Sequence, residues 1–188
     1  MQQPCTGRVA PASLIETTQT RKETAMKGAE TSLKHLQRAL TMELTTVNTY
    51  LYQERQLDDW GVDRLAKRMR QEIDEEREHA NLFLTRLLFL EGTADMQTLD
   101  EITPPKSVRD IFDTQLKMEL EAREYYDKAA RECREAGDLG SFELFMRILK
   151  DEEEHVDFVE EQFDLMELMG EQLYIARQVS SVVEGEDD

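Results

Sequence analysis

The chain has 188 residues, enough for one domain with a sizeable hydrophobic core. Its 39% hydrophobic and 34% charged residues, with only 8 Gly and 4 Pro, exclude a disordered or collagenous chain and favour long helices over sheets. Acidic residues outnumber basic ones by 41 to 23, and the formal charge of -18 repels nucleic-acid backbone and anionic membrane while attracting cations.

Cys5 and Cys133 are too few and too far apart for a disulfide framework or a CxxC site. No apolar run approaches the ~20 residues of a membrane span, and the first 25 residues lack the apolar stretch of a secretory signal. The expectation is a soluble cytoplasmic protein with neither nucleic acid nor membrane as partner.

Residues 1–25 contain Pro4 and Pro11 and no helical periodicity, which reads as a flexible N-terminal extension. Residues 26–180 read as the folded domain, and 181–188 as a solvated acidic tail. Four long amphipathic helices are predicted, each with a period near 3.6. The first runs from about Thr31 to Leu57, with Thr31 or Ser32 as its cap and Leu33, Leu36, Leu40, Leu44, Val47 and Leu51 as its stripe. The second spans about Val62 to Leu90, the third Val108 to Ala136 and the fourth Ser141 to Met169. A short fifth helix is predicted over Glu171 to Val179.

The connections set the topology. Helices one and two meet at Asp59-Trp60-Gly61, and helices three and four at Gly137 to Gly140, short turns that make antiparallel neighbours. Glu91 to Lys106 is longer and carries Gly92, Pro104 and Pro105. Extended, it reaches roughly 50 Å, more than the ~42 Å of a 28-residue helix. Two helical hairpins joined by a crossover result.

Carboxylates interrupt the apolar stripes. Glu43 follows Leu36 and Leu40, Glu76 fills the slot between Ile73 and Ala80, Glu119 follows Phe112 and Leu116, and Glu152 follows Phe145 and Ile148. A carboxylate aimed into a core must neutralise, pair or bind metal. Glu76 and Glu152 each precede a histidine by three residues, His79 and His155, so each Glu and His share a helix face and can reach one ion. Glu43 to Glu76 and Glu119 to Glu152 are both 33 residues, and the set recurs at an offset of 76. Each hairpin turn lies midway between its ligands, which places all six side chains at one depth. Four carboxylates and two neutral imidazoles balance two divalent cations, the arrangement of di-iron or di-manganese carboxylate bundles. Tyr50, seven residues after Glu43, should face this site as an electron donor or as a plain core tyrosine. His35 reads as a surface histidine, and Trp60 as a packing or interface anchor.

The stretches MKG at 26–28, EL at 43–44, FLEG at 89–92, ILKDEEEH at 148–155 and LMELMG at 165–170 resemble the bacterioferritin branch of the ferritin-like family, over about Met26 to Gln178. The resemblance implies an all-α ferritin-like bundle with a fifth C-terminal helix. It implies bridging roles for Glu76 and Glu152, terminal roles for Glu43 and Glu119, and completion of the site by His79 and His155. It further implies a ferroxidase that oxidises Fe(II) with dioxygen or peroxide at two irons per subunit and stores ferric mineral in a homo-oligomeric shell of 24 subunits. Haem-binding members carry a methionine one residue after the first bridging Glu; Arg77 stands there, so no haem is expected between two copies of this chain. A mixed shell with a haem-competent second subunit stays open. Gln71 replaces a histidine of an inner-surface iron site, leaving Glu75 as the one carboxylate there. The rival readings are a manganese catalase, a rubrerythrin-like peroxidase, a small oxygenase and a non-catalytic shell subunit; the rubrerythrin lacks its paired CxxC motifs here.

Overall fold

The computed structural model describes residues 27–183. The expected N-terminal extension and most of the expected acidic tail lie outside that range. The described chain folds as α1 (Glu30–Asp59), α2 (Asp63–Phe89), α3 (Val108–Glu135), α4 (Leu139–Met169), α5 (Glu171–Arg177) and α6 (Ser180–Val183). The four long helices fall within two residues of the sequence expectation, the usual disagreement at frayed ends.

Burial along the long helices repeats every seven residues. Leu36, Glu43, Tyr50 and Leu57 are buried in α1, and Met69, Glu76 and Phe83 in α2. Phe112, Glu119, Tyr126 and Cys133 are buried in α3, and Phe145, Glu152, Val159 and Met166 in α4. A seven-residue repeat keeps one seam facing its neighbours in a left-handed bundle, whereas a stripe with 3.6 spacing drifts by about 20° per heptad. The stripe expected in α1 was of the drifting kind. Leu36 and Leu40 are buried, Leu44 and Val47 are half-buried, and Leu51 has rotated out to 48% exposure.

The two hairpins close with the same device. Val62 N–H donates to Leu57 O and Gly61 N–H to Asp58 O; Asp138 N–H donates to Cys133 O and Gly137 N–H to Arg134 O. These paired bonds satisfy the last helical carbonyls and need a left-handed residue, supplied by Gly61 (φ 77) and Gly137 (φ 78). Helix starts differ between the hairpins. The side chains of Ser107 and Asp138 cap α3 and α4 by accepting from Asp110 and Ser141 N–H. The α1 N-cap is Ala29 without a side-chain cap. Thr31 and Ser32 therefore do not cap it: both lie inside the helix, and Ser32 is buried.

The crossover runs along α1. The Gln37 side chain bonds the Asp95 backbone in both directions (3.0 and 2.7 Å), Arg38 pairs with Asp100, and Asp100 N–H donates to Thr45 Oγ1 at 3.0 Å. It links the end where Gly28 N–H meets Leu90 O to the end where Val108 packs with Leu57 and Val62. At that second end α5 seals the bundle. Tyr174 is buried, its ring edge against Phe112 and its hydroxyl donating to Gln162 Oε1 at 2.9 Å. Two apolar clusters result, one around Phe83, Tyr126 and Phe145 and one around Ile111, Phe112 and Tyr174. The polar layer between them is the candidate site.

Candidate metal centre

Each long helix contributes its middle to this layer. Glu43, Glu76, Glu119 and Glu152 are all at most 2% exposed, and His79 and His155 are buried beside them. All six residues expected from the sequence therefore converge. They form two overlapping groups whose ligand atoms lie within 4.8 Å of one another: Glu43, Glu76, His79 and Glu152, and Glu76, Glu119, Glu152 and His155. Glu76 and Glu152 belong to both.

Contacts within the layer are close but poorly satisfied. His79 Nδ1 lies 3.3 Å from Glu76 and 3.4 Å from Glu152; His155 Nδ1 lies 3.0 Å from Glu76 and 3.3 Å from Glu152. Yet Glu76 Oε1, both oxygens of Glu152 and His155 Nδ1 have no hydrogen-bond partner, because the angles fit none. Orphaned buried oxygens and nitrogens are rare in folded proteins. Here the unpartnered atoms belong to groups whose ligand atoms cluster within 4.8 Å, and the donor set of carboxylate oxygen and imidazole nitrogen suits a divalent first-row metal.

The electrostatics agree. Burial, followed by the Glu152 and Glu76 charges, pushes the Glu43 carboxyl well above its ordinary range; burial, then Glu76 and Glu152, does the same to Glu119. Burial opposes charge on His79, but the neighbouring Glu152 and Glu76 carboxylates outweigh it and lift the ring to about 10. His155 is raised likewise, against burial, by Glu119, Glu152 and Glu76. Glu76 is drawn below its ordinary range because the two imidazoles outweigh its burial. Without cations the layer needs protons to be neutral.

Two tyrosines steady the outer carboxylates. The Tyr50 hydroxyl donates to Glu119 Oε1, so Tyr50 does face the site. Tyr126 donates to Glu43 Oε1 at 2.5 Å. Each tyrosine reaches across to the other hairpin's carboxylate. Tyr126 escaped the sequence reading, although the 76-residue offset that links the Glu residues also links Tyr50 to Tyr126. Glu72 was missed too: it is buried, one turn before Glu76, and lies 3.4 Å from His155 Nε2, with Glu75 at 3.2 Å. Glu75 thus turns to His155, while Gln71 accepts from Arg68 at 3.4 Å. An open depression between α2 and α4, lined among others by Glu75, Glu78, Asp151 and Glu154, gives access to both imidazoles.

His35 is not at the surface. It is 4% exposed, with Nδ1 2.8 Å from the Tyr125 hydroxyl and Nε2 2.8 Å from Glu132. Its position, two turns before Glu43 on the buried face, outweighs its nearness to the helix start. Trp60 is 37% exposed at the first turn. Arg77 is exposed and paired with Asp74 at 2.9 Å.

A four-helix bundle with a long crossover and two Glu-x-x-His pairs at mid-depth is the ferritin-like architecture. The ferritin-like domain family model matches residues 33–169, and the chain belongs to that family. Its relatives are bacterioferritins. It is 40% identical over 149 residues to the bacterioferritin of Brucella melitensis, covering 79% of this chain and 92% of that protein. It is 37% identical over 147 residues to that of Rhodobacter capsulatus, covering 78% and 91%. The solved structure of Mycobacterium tuberculosis bacterioferritin BfrA superposes with a TM-score of 0.81 at 35% identity, covering 83% of this chain and 98% of that one. Among the described residues no helix is long and apolar enough to cross a membrane.

Proposed function

We propose that this chain is an iron-storage ferroxidase that binds two Fe(II) ions per subunit as substrate and oxidises them to Fe(III), with dioxygen or hydrogen peroxide as acceptor. The observation that carries this reading is the pair of overlapping ligand groups sharing Glu76 and Glu152, with orphaned atoms aimed into both. Iron supplies the one-electron redox chemistry; the chain supplies position and charge. Glu76 and Glu152 hold the two cations side by side. Glu43 with His79 completes one position, and Glu119 with His155 the other. Tyr126 and Tyr50 each occupy one oxygen of a terminal carboxylate, fixing how the carboxylate is presented. Filling the site releases the protons that neutralise it, so cation binding and proton release run together.

Storage requires an enclosing shell. The bacterioferritin resemblance implies 24 subunits, and exposed apolar side chains such as Leu168, Leu139, Leu88 and Phe89 support burial against other copies. Arg77 cannot ligate iron, so we expect no haem between two copies of this chain, and a mixed shell would draw it from another subunit. The test is stopped-flow Fe(II) oxidation with the assembled protein. A fast phase is expected in the unmodified chain and should vanish when Glu76 and Glu152 are both replaced by Ala. A fast phase surviving in that variant refutes the assignment.

A further inference from the structure

Glu43 is the inner end of a chain of contacts that continues outward beyond Tyr126. Tyr126 donates to Glu43, and its ring meets Tyr125 edge-on at 6.3 Å between centroids. Tyr125 in turn bonds His35 Nδ1, and His35 Nε2 bonds Glu132, whose side chain is 41% exposed. The series thus runs from a carboxylate of the metal layer to solvent.

Its polarity is fixed. An ionised carboxylate only accepts, so His35 Nε2–H donates to Glu132, and Nδ1 keeps a lone pair for the Tyr125 O–H. The bond from His35 holds Glu132 below the usual carboxylate range, in keeping with its ionised form. Burial pushes the Tyr125 hydroxyl up to about 12. At neutral pH the phenol keeps its proton, and it yields an electron readily only when that proton has a nearby acceptor. His35 Nδ1, at 2.8 Å, is that acceptor.

We propose that Tyr126, Tyr125, His35 and Glu132 form an outlet for oxidising equivalents, leading them from the metal centre to the surface. The proposal rests on the ferroxidase reading and names hydrogen peroxide as the oxidant. Reducing peroxide to two waters takes two electrons and two protons. When one ferrous ion is bound, it provides only one electron. Tyr125 supplies the second through the Tyr126 ring, and its hydroxyl proton moves to His35 Nδ1. Two protons come from solvent. The products are Fe(III), two waters, a neutral tyrosyl radical on Tyr125 and an imidazolium on His35 paired with Glu132, and no hydroxyl radical is set free.

The other hairpin serves as an internal contrast. At the 76-residue offset the partner of Tyr126 is Tyr50, but Thr49 stands for Tyr125, Ile111 for His35 and Gln56 for Glu132. The Thr49 hydroxyl is buried without a partner, and Ile111 lies in the apolar core. The path continues on one side only.

The test is freeze-quench electron paramagnetic resonance. Full-length assembled protein, loaded anaerobically with substoichiometric Fe(II), is mixed with hydrogen peroxide, with and without ring-deuterated tyrosine. The unmodified chain should show a tyrosyl radical that narrows on deuteration. Tyr125→Phe, which keeps the packed ring, should lose it, and so should Tyr126→Phe and His35→Gln. A radical of unchanged yield and line shape in Tyr125→Phe overturns the outlet. So does the absence of any radical in an unmodified chain that oxidises its Fe(II). A chain that does not oxidise Fe(II) at all sinks the ferroxidase reading first, and the outlet with it.

Discussion

The α1–α2 hairpin and the α3–α4 hairpin carry the same inner layer on different supports. Glu43, Tyr50, Glu76 and His79 correspond one for one to Glu119, Tyr126, Glu152 and His155. Both hairpins close through a left-handed Gly with the same pair of backbone bonds. Outside that layer they part. α3 and α4 begin at side-chain caps, whereas α1 and α2 do not. Tyr125 leads to His35 and Glu132, whereas Thr49 leads nowhere. The proposed two-cation chemistry would constrain the inner residues in both halves, while capping and outer contacts are free to differ.

Ligand substitutions break the comparison most sharply. Glu76→Ala removes a carboxylate common to both groups and should cost both bound cations. Glu43→Ala and Glu119→Ala should each cost one, leaving the other position filled, as read by metal analysis after gel filtration. Equal losses from all three variants would mean that the bridging and terminal roles are misassigned.

The two tyrosines come next. Tyr50→Phe and Tyr126→Phe each free one oxygen of a terminal carboxylate, and loss of such supporting bonds costs on the order of 10- to 100-fold in metal affinity. Similar losses in an anaerobic binding titration would show that the halves are equivalent at this depth. A much smaller effect for one of them would show where the equivalence ends.

Capping gives the smallest effect. Asp138→Ala should destabilise the chain by about 1 kcal/mol at neutral pH in denaturant titrations. Burial alone would raise the Asp138 carboxyl, but hydrogen bonds from Ser141 and Arg86 help to draw it below its ordinary value. A depressed carboxylate stabilises the fold above its unfolded value of about 4 and loses that contribution as pH falls through the folded value. The penalty of the variant should therefore shrink in acid.

The convergence of six buried side chains is legible in the sequence, because a charged residue in an apolar stripe is anomalous and the spacing of the anomalies repeats. Tyr126 is not, since a tyrosine between alanines on a buried face is an ordinary core residue until its hydroxyl finds Glu43. His35, near a helix start, reads as a surface residue, but its place on the face of Ala39 and Glu43 buries it. Leu51 failed for a different reason: a stripe drawn at 3.6 residues per turn leaves a seam that repeats every seven. The crossover's length could be read from its composition, but its course depends on Gln37, Arg38 and Thr45 meeting residues more than fifty positions away.

The most direct test of the two-cation layer is an anaerobic titration of the metal-free protein with Co(II), a spectroscopic stand-in for Fe(II), read by visible absorption. The account predicts a break at two equivalents per chain, accompanied by proton release. Saturation at one equivalent, or binding that salt abolishes without any visible band, would contradict it.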